Sequence, residues 1–429
     1  MNFLKSIAQP PTTYTPPPPR PPKQTIPRPP PRPQSSQATA PPPRPPKIPE
    51  NSIPLTQEAL RWRDQGDDVV SQRFDDVMSM VDPSDNQSLA SFTTNAQSLY
   101  ESRKTGVFKS ALTGRYFDKI LLYENARVSL SLPPCFLPSS SWKIVLLAAH
   151  YSNVSYQSSS SRESVIASDR RSNTKAMLVK AIPSATSTTI VIAVRGTSSL
   201  KDWMTNMQYE PEQPGLFLRD QENAIHSGFL GAARAMMPSV ASHLQDMIRQ
   251  QSLSQASPPS YTLVISGHSA GGAIAALLYS HMLSASSSPL SSLAGLFHRI
   301  HCITFGAPPL SLLPLTTHYQ KSMFLSFVNE GDAVTRAEMP YMRSLLDLLA
   351  APAPKRSRRW PIPENALCNA GKIVVLRQPG KRKDKMELAE GVEAVLCKES
   401  NLRGVVFGNP LCHLMDVYEE RVNKLAGKS

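Results

Sequence analysis

Cysteine is scarce and odd in number: Cys135, Cys302, Cys368, Cys397 and Cys412 are the five in 429 residues, and they share no recurring spacing. That excludes a disulfide framework and fits thiols kept reduced in the core or beside a site. Long apolar runs are also missing, since none approaches the roughly 18 residues of a membrane-spanning helix. The opening Met1-Asn-Phe-Leu-Lys-Ser-Ile-Ala-Gln-Pro10 turns to proline before an apolar signal region can form. These absences read as a soluble protein that stays in the cytoplasm. Acidic residues are few, 33 against 46 Lys and Arg, for a formal charge of +13. The first 50 residues hold seven of the bases and a single Glu, so they carry +6 of that excess. The basicity therefore defines a tail and not a nucleic-acid-binding face, and no nucleic-acid partner is expected.

Proline is abundant, and most of the excess among its 41 residues lies before Pro49. Residues 1–54 lack the apolar surface that would offset ordering entropy, so they read as a disordered tail with polyproline stretches. Pro18–Lys23, Pro27–Arg32 and Pro42–Lys47 each carry Pro-x-x-Pro-x-basic, the spacing that fits an SH3-type groove. A plain solubilising spacer is the alternative. Residues 55–135 read as a helical extension: Val69, Val70, Phe74, Val77, Met78 and Val81 fall near helical spacing, and a second helix is predicted over Arg115–Asn125.

From 136 to 427 the pattern alternates strand and helix. A helix over Trp142–Ser152 precedes predicted strands at Ala176–Ala181, Thr188–Thr197, Leu263–Ile265, Ile300–Gly306, Met323–Val328 and Lys372–Leu376, with a helix over Ala232–Gln251 between them. The prediction is an α/β domain with a mostly parallel central sheet. Leu200, Trp203, Met204 and Met207 fall on one helical face just past the Thr188–Thr197 strand, as a lid able to meet lipid would, or as a helix whose Trp face packs in the core. Two basic runs, Lys355–Arg359 and Lys381–Lys385, fall in predicted loops, where they read as solvated loops or as contacts for anionic head groups.

The centre of this pattern is Leu263-Val-Ile-Ser-Gly-His-Ser269-Ala-Gly-Gly-Ala-Ile, which reads as strand, tight turn and helix. A serine flanked by glycine two residues to either side occupies the strained turn that exposes a nucleophile. The N–H groups at the start of the following helix face any oxyanion formed there. Ser269 is thus the candidate nucleophile, with the Ala270 N–H as an oxyanion donor. The donor from the loop after the earlier strand is Thr197, and Thr197→Val should slow kcat about a hundredfold if the hydroxyl also donates. A base and an orienting acid follow in the order Ser, Asp/Glu, His. Beyond Asp332 the chain has one histidine, His413, so the reading is Asp332 as the acid and His413 as the base. Glu330 and Asp347 remain rival acids, and His268 reads as structural. No metal or organic cofactor is required by this chemistry.

Ile192-Ala-Val-Arg-Gly-Thr197 with Asp202-Trp203, His226-Ser-Gly-Phe229, Gly267-His-Ser-Ala-Gly-Gly272, Thr304-Phe-Gly-Ala-Pro308, Asn329-Glu-Gly-Asp-Ala-Val-Thr-Arg336 and His413 together resemble the class 3 (fungal-type) lipase family. The resemblance covers about Trp142 to Leu425. It implies an α/β-hydrolase fold and carboxyl-ester hydrolysis through an acyl-serine. It also implies the triad Ser269, Asp332 and His413, the oxyanion donors Thr197 and Ala270, and a lid at Ser199–Gln208. Pro309 stands where the family often has Arg, and Ala333 and Thr335 depart from the usual residues after the acid. Without a signal peptide or disulfides, the chain is more similar to intracellular mono- or diacylglycerol lipases. Expected partners are acylglycerol and the surface of a membrane or lipid droplet. Phospholipase A1 or small-ester esterase activity is the alternative within enzymes, and an SH3-binding scaffold the alternative outside them.

Overall fold

A computed structural model of the chain describes residues 117, 119–157, 164–169, 174–184, 187–196, 210–254, 260–284, 287–316, 319, 322–379 and 391–427. The predicted tail, the helix over Val69–Val81, the lid and the run Lys381–Lys385 lie outside the described residues. The helices are α1 (Ser139–Val154), α2 (Ser227–Ser254), α3 (Ala270–Met282), α4 (Met339–Ala350), α5 (Glu399–Arg403) and α6 (Met415–Ala426). Among the described residues, eight of ten strands form one sheet: β1 (Ser164–Ile166), β2 (Met177–Pro183), β3 (Ser187–Val194), β6 (Ser260–His268), β7 (Phe297–Phe305), β8 (Phe324–Asn329), β9 (Lys372–Arg377) and β10 (Glu393–Cys397), in that spatial order. β4 (Pro211–Glu212) and β5 (Ile225–His226) form a separate antiparallel pair.

Strands β3, β6, β7, β8 and β9 run parallel, and antiparallel strands complete the sheet at either end. Crossover helices place cover on both faces, which is why the central strands read as continuous apolar runs. In β3, Ile190, Ile192 and Val194 join the core beneath α3, while Val191 and Ala193 turn to the core shared with Trp142 and Val145 of α1. The period-2 alternation of a strand thus serves two apolar layers. α6 packs on the α1 side through Met415, Tyr418, Val422 and Leu425. With a serine turn between β6 and α3, this is an α/β-hydrolase fold.

The central predictions land within a few residues. The helix predicted over Ala232–Gln251 is longer, starting at Ser227 and passing Pro238. Of the second helix predicted over Arg115–Asn125, Phe117 is helical and Lys119–Leu122 forms a 3₁₀ turn, the chain leaving it at Tyr123, while residues 115, 116 and 118 lie outside the described residues. Just past the turn Asn125 acts as a clasp: its side chain donates to Trp360 O at 3.0 Å and accepts from Trp360 N at 2.8 Å. Phe117, Ile120, Tyr123 and Ala126 sit in the main core, so residues 117–135 pack as part of the body and not apart from it.

Candidate active site

Ser269 lies at the junction of β6 and α3 with φ 57° and ψ −134°, the one positive-φ residue other than glycine among the described residues. A side chain in that region is strained, and the surroundings hold it there. The Ser269 N–H donates to Phe305 O at 2.9 Å, tying the turn to the end of β7. The glycines make the turn possible by close backbone approach. A Cβ on Gly267 would strike the backbone of Gly271 and Gly272, and one on Gly271 would strike Val194, Arg195 and Gly196. Ala270 opens α3, so its N–H has no carbonyl one turn back and remains available beside Ser269. Thr197 and the lid residues Leu200, Trp203, Met204 and Met207 lie outside the described residues.

Asp332 and His413 meet although 81 residues separate them in sequence: His413 Nδ1 lies 3.1 and 3.0 Å from the two carboxylate oxygens, and both residues are buried. Two neighbouring turns make that meeting. Asn329 Nδ2 donates to Cys412 O, and Asn409 N donates to Gly331 O, each at 2.9 Å. Two further donors hold the carboxylate, Val334 N at 2.9 Å and Tyr418 Oη at 2.6 Å. Tyr418 Oη in turn accepts from Asn329 N at 2.9 Å, so the hydroxyl is fixed from both sides. Gly306, at φ +56°, completes the fit, since a Cβ there would meet Asp332 Oδ2, His413 Nδ1 and Tyr418 Oη. With Nδ1 committed to Asp332, Nε2 is the ring nitrogen left for proton transfer.

His268 joins the serine turn to the histidine turn. Its Nε2 lies 2.7 Å from His413 O and its Nδ1 2.9 Å from Tyr156 Oη. A carbonyl can only accept, so Nε2 carries the proton and Nδ1 accepts from Tyr156. The His268 and His413 rings lie 4.5 Å apart, placing His413 next to the residue that precedes Ser269. Burial, followed by the neighbouring His413, pushes the His268 pKa well below the ordinary imidazole value. His268 therefore stays neutral and structural.

The rival acids are placed elsewhere. Glu330 Oε1 accepts from Val128 N at 3.0 Å and Oε2 faces Arg127 at 3.7 Å. Asp347 is within α4. All five cysteines are unbridged, and burial raises the thiol of Cys412, next to His413, to about 11. That makes it a poor nucleophile at neutral pH. Tyr418 was missed in reading the sequence, yet a signal existed: Met415, Tyr418, Val422 and Leu425 fall on one helical face.

Residues 191–342 match the family model described as Lipase (class 3). The chain is 32% identical over 157 residues to diacylglycerol lipase-beta of Mus musculus, a stretch covering 36% of this chain and 21% of the mouse protein. It thus spans about a fifth of that relative's length. Among solved structures it is similar to a lipase from Rhizopus microsporus var. chinensis, with 14% identity over 67% of this chain and 89% of that one at a TM-score of 0.43. It is also similar to the Rhizomucor miehei lipase propeptide complex, with 17% identity over 65% and 80% at a TM-score of 0.38. The matched segment holds the Ser269 turn and Asp332, and His413 lies beyond it.

Proposed function

We propose that this chain hydrolyses carboxyl esters of glycerolipids, with Ser269 as nucleophile, His413 as base and Asp332 as the acid that orients it. The observation that carries the reading is the buried Asp332–His413 pair, clamped through His268 to the strained turn of Ser269. His413 Nε2 takes the proton of Ser269 Oγ as that oxygen attacks the ester carbonyl. The tetrahedral oxyanion is received by the Ala270 N–H and by Thr197. As the ester C–O bond breaks, His413 returns its proton to the departing glycerol oxygen. Water then attacks the acyl-serine by the same route, releasing fatty acid and restoring Ser269 Oγ–H. Acylglycerols are the proposed substrates, met at a lipid surface, with Leu200, Trp203, Met204 and Met207 as the covering lid.

The test is fatty-acid release from emulsified mono-, di- and triacylglycerol by wild type and Ser269→Ala, with a soluble short-chain ester alongside. Serine-dependent release from the emulsions is the expected result and would rank the substrates. Serine-dependent turnover of the soluble ester alone would make the chain an esterase and remove the lid role. Release that survives Ser269→Ala would overturn the site itself.

A further inference from the structure

Beside the carboxyl ends of β8 and β9 lies an open pocket of about 760 Å³, lined in part by Arg127, Leu130, Glu330, Arg359 and Arg377. β6, β8 and β9 run in one direction, so this pocket opens on the same edge of the sheet from which Ser269 emerges. Its frame is built in advance. The Asn125 clasp holds Trp360, and Glu124 N donates to Arg358 O at 3.0 Å, which fixes the basic run at the pocket mouth. Arg377 forms the floor, donating to Ser129 O at 2.7 Å and pairing with Glu393 at 2.6 Å.

Its charges are not balanced internally. Arg359 is exposed and has no hydrogen bond or ion pair among the described residues, and Arg127 has only the loose approach to Glu330 at 3.7 Å. The two carboxylates of the lining are Glu124 and Glu330. Glu330 spends one oxygen on Val128 N, and the lining sets three arginines, Arg127, Arg359 and Arg377, against these two carboxylates. Lys355, Arg356 and Arg358 extend the cationic stretch away from the pocket. Apolar side chains flank it: Leu130, 67% exposed, is in the lining, and Leu121, 53% exposed, lines the adjoining pocket that shares Arg127, Glu330 and Gln378. Guanidinium forks suit phosphate oxygens, whereas exposed leucines suit acyl chains, and a soluble anion would have no use for the leucines.

We propose that this pocket binds the phosphate of an anionic phospholipid, with Arg127 and Arg359 as its ligands and Leu121 and Leu130 entering the bilayer beside it. Docking there presents the Ser269 edge of the sheet to the membrane. The proposal deepens the reading of a lipid-surface hydrolase, but binding does not require turnover.

The test is co-sedimentation of full-chain Ser269→Ala protein with phosphatidylcholine vesicles, with and without phosphatidylserine. Adding Arg127→Gln and Arg359→Gln together should weaken partition to the anionic vesicles about thirtyfold, at the usual contribution of a surface arginine, and leave neutral vesicles unaffected. Leu130→Ser should weaken binding to both. In the serine-intact protein the same arginine pair should leave soluble-ester turnover unchanged, which also shows that it folds. Undiminished anionic binding by the pair would overturn the proposal. So would an equal loss on Lys355→Gln with Arg356→Gln, because diffuse attraction would then suffice. Displacement from vesicles by inorganic phosphate, beyond chloride at equal ionic strength, would assign the pocket to a soluble anion instead and overturn the membrane reading.

Discussion

Asp332 and Glu330 leave the end of β8 two residues apart, and the chain surrounds them in opposite ways. Asp332 is fully buried yet receives three donors, His413 Nδ1, Tyr418 Oη and Val334 N. Glu330 receives one backbone N–H and a distant arginine, and its burial is not fully compensated. A carboxylate that must stay charged while it steers an imidazole needs the first environment. The second holds a carboxyl that tolerates its proton and faces the basic pocket.

The largest separation between the two is expected in turnover. Asp332→Asn keeps the shape but reverses the preferred tautomer of His413, and kcat should fall about 10⁴-fold. Glu330→Gln should stay within about twofold, because its oxygens engage Val128 N and Arg127 and not His413. Ester hydrolysis by the two purified variants under saturating substrate measures both. Equal losses would show that the turn, not the Asp332 carboxylate, is what matters.

Tyr418→Phe comes next. It removes the 2.6 Å donor to Asp332 and leaves Asn329 N–H without an acceptor in the core. A hydrogen bond to a charged group contributes about 1.5–3 kcal/mol, so the variant should lose about 2 kcal/mol in urea denaturation. A carboxylate with one donor fewer orients His413 less well. A kcat about tenfold lower with unchanged KM is therefore expected. Lost stability with normal kcat would reduce Tyr418 to a packing residue.

Much of the Ser269 side was legible because it is local. Gly267, Ser269 and Gly271 lie within five residues, and the β6 and α3 patterns on either side identify the turn. The pairing of Asp332 with His413 was legible only by chain order, since a motif has to be met by a second one 81 residues away. Tyr418 reaches Asp332 by tertiary packing of α6, and a helical face announces burial without saying which hydroxyl finds a partner. The end of the helix predicted over Arg115–Asn125 was placed too late for the same reason, since Asn125 is taken up by Trp360, 235 residues away. The antiparallel β10 was missed because Glu393–Cys397 is too short to stand out beside the parallel runs.

A smaller effect separates His268 from His413, two rings 4.5 Å apart with different duties. Burial holds the folded His268 pKa well below that of the unfolded chain. A depressed histidine contributes stability that is present above the unfolded imidazole range and is lost as pH falls through it, because the unfolded chain takes up a proton that the folded one refuses. His281 and His301 are shifted the same way, the latter to about 4. His268→Gln keeps an amide N–H for His413 O and should reduce the steepness of destabilisation between neutral pH and pH 5. Urea melts across that range would read it, and an unchanged slope would mean that His268 is not held neutral.

The smallest effect returns to Glu330, and its sign is opposite. A carboxyl whose folded pKa is raised contributes stability that is fully present below its unfolded pKa and is lost as pH rises through the folded value. Wild type should therefore gain on Glu330→Gln as pH falls from neutral into the carboxylate range, whereas at neutral pH the variant should match or exceed wild type, since the amide oxygen can still accept from Val128 N. Melts of the two proteins at neutral and acidic pH measure that difference directly. If Glu330→Gln were instead weaker at neutral pH and equal in acid, the ion pair with Arg127 would outweigh the cost of burial. The basic pocket would then have less free charge for a phosphate than its geometry indicates.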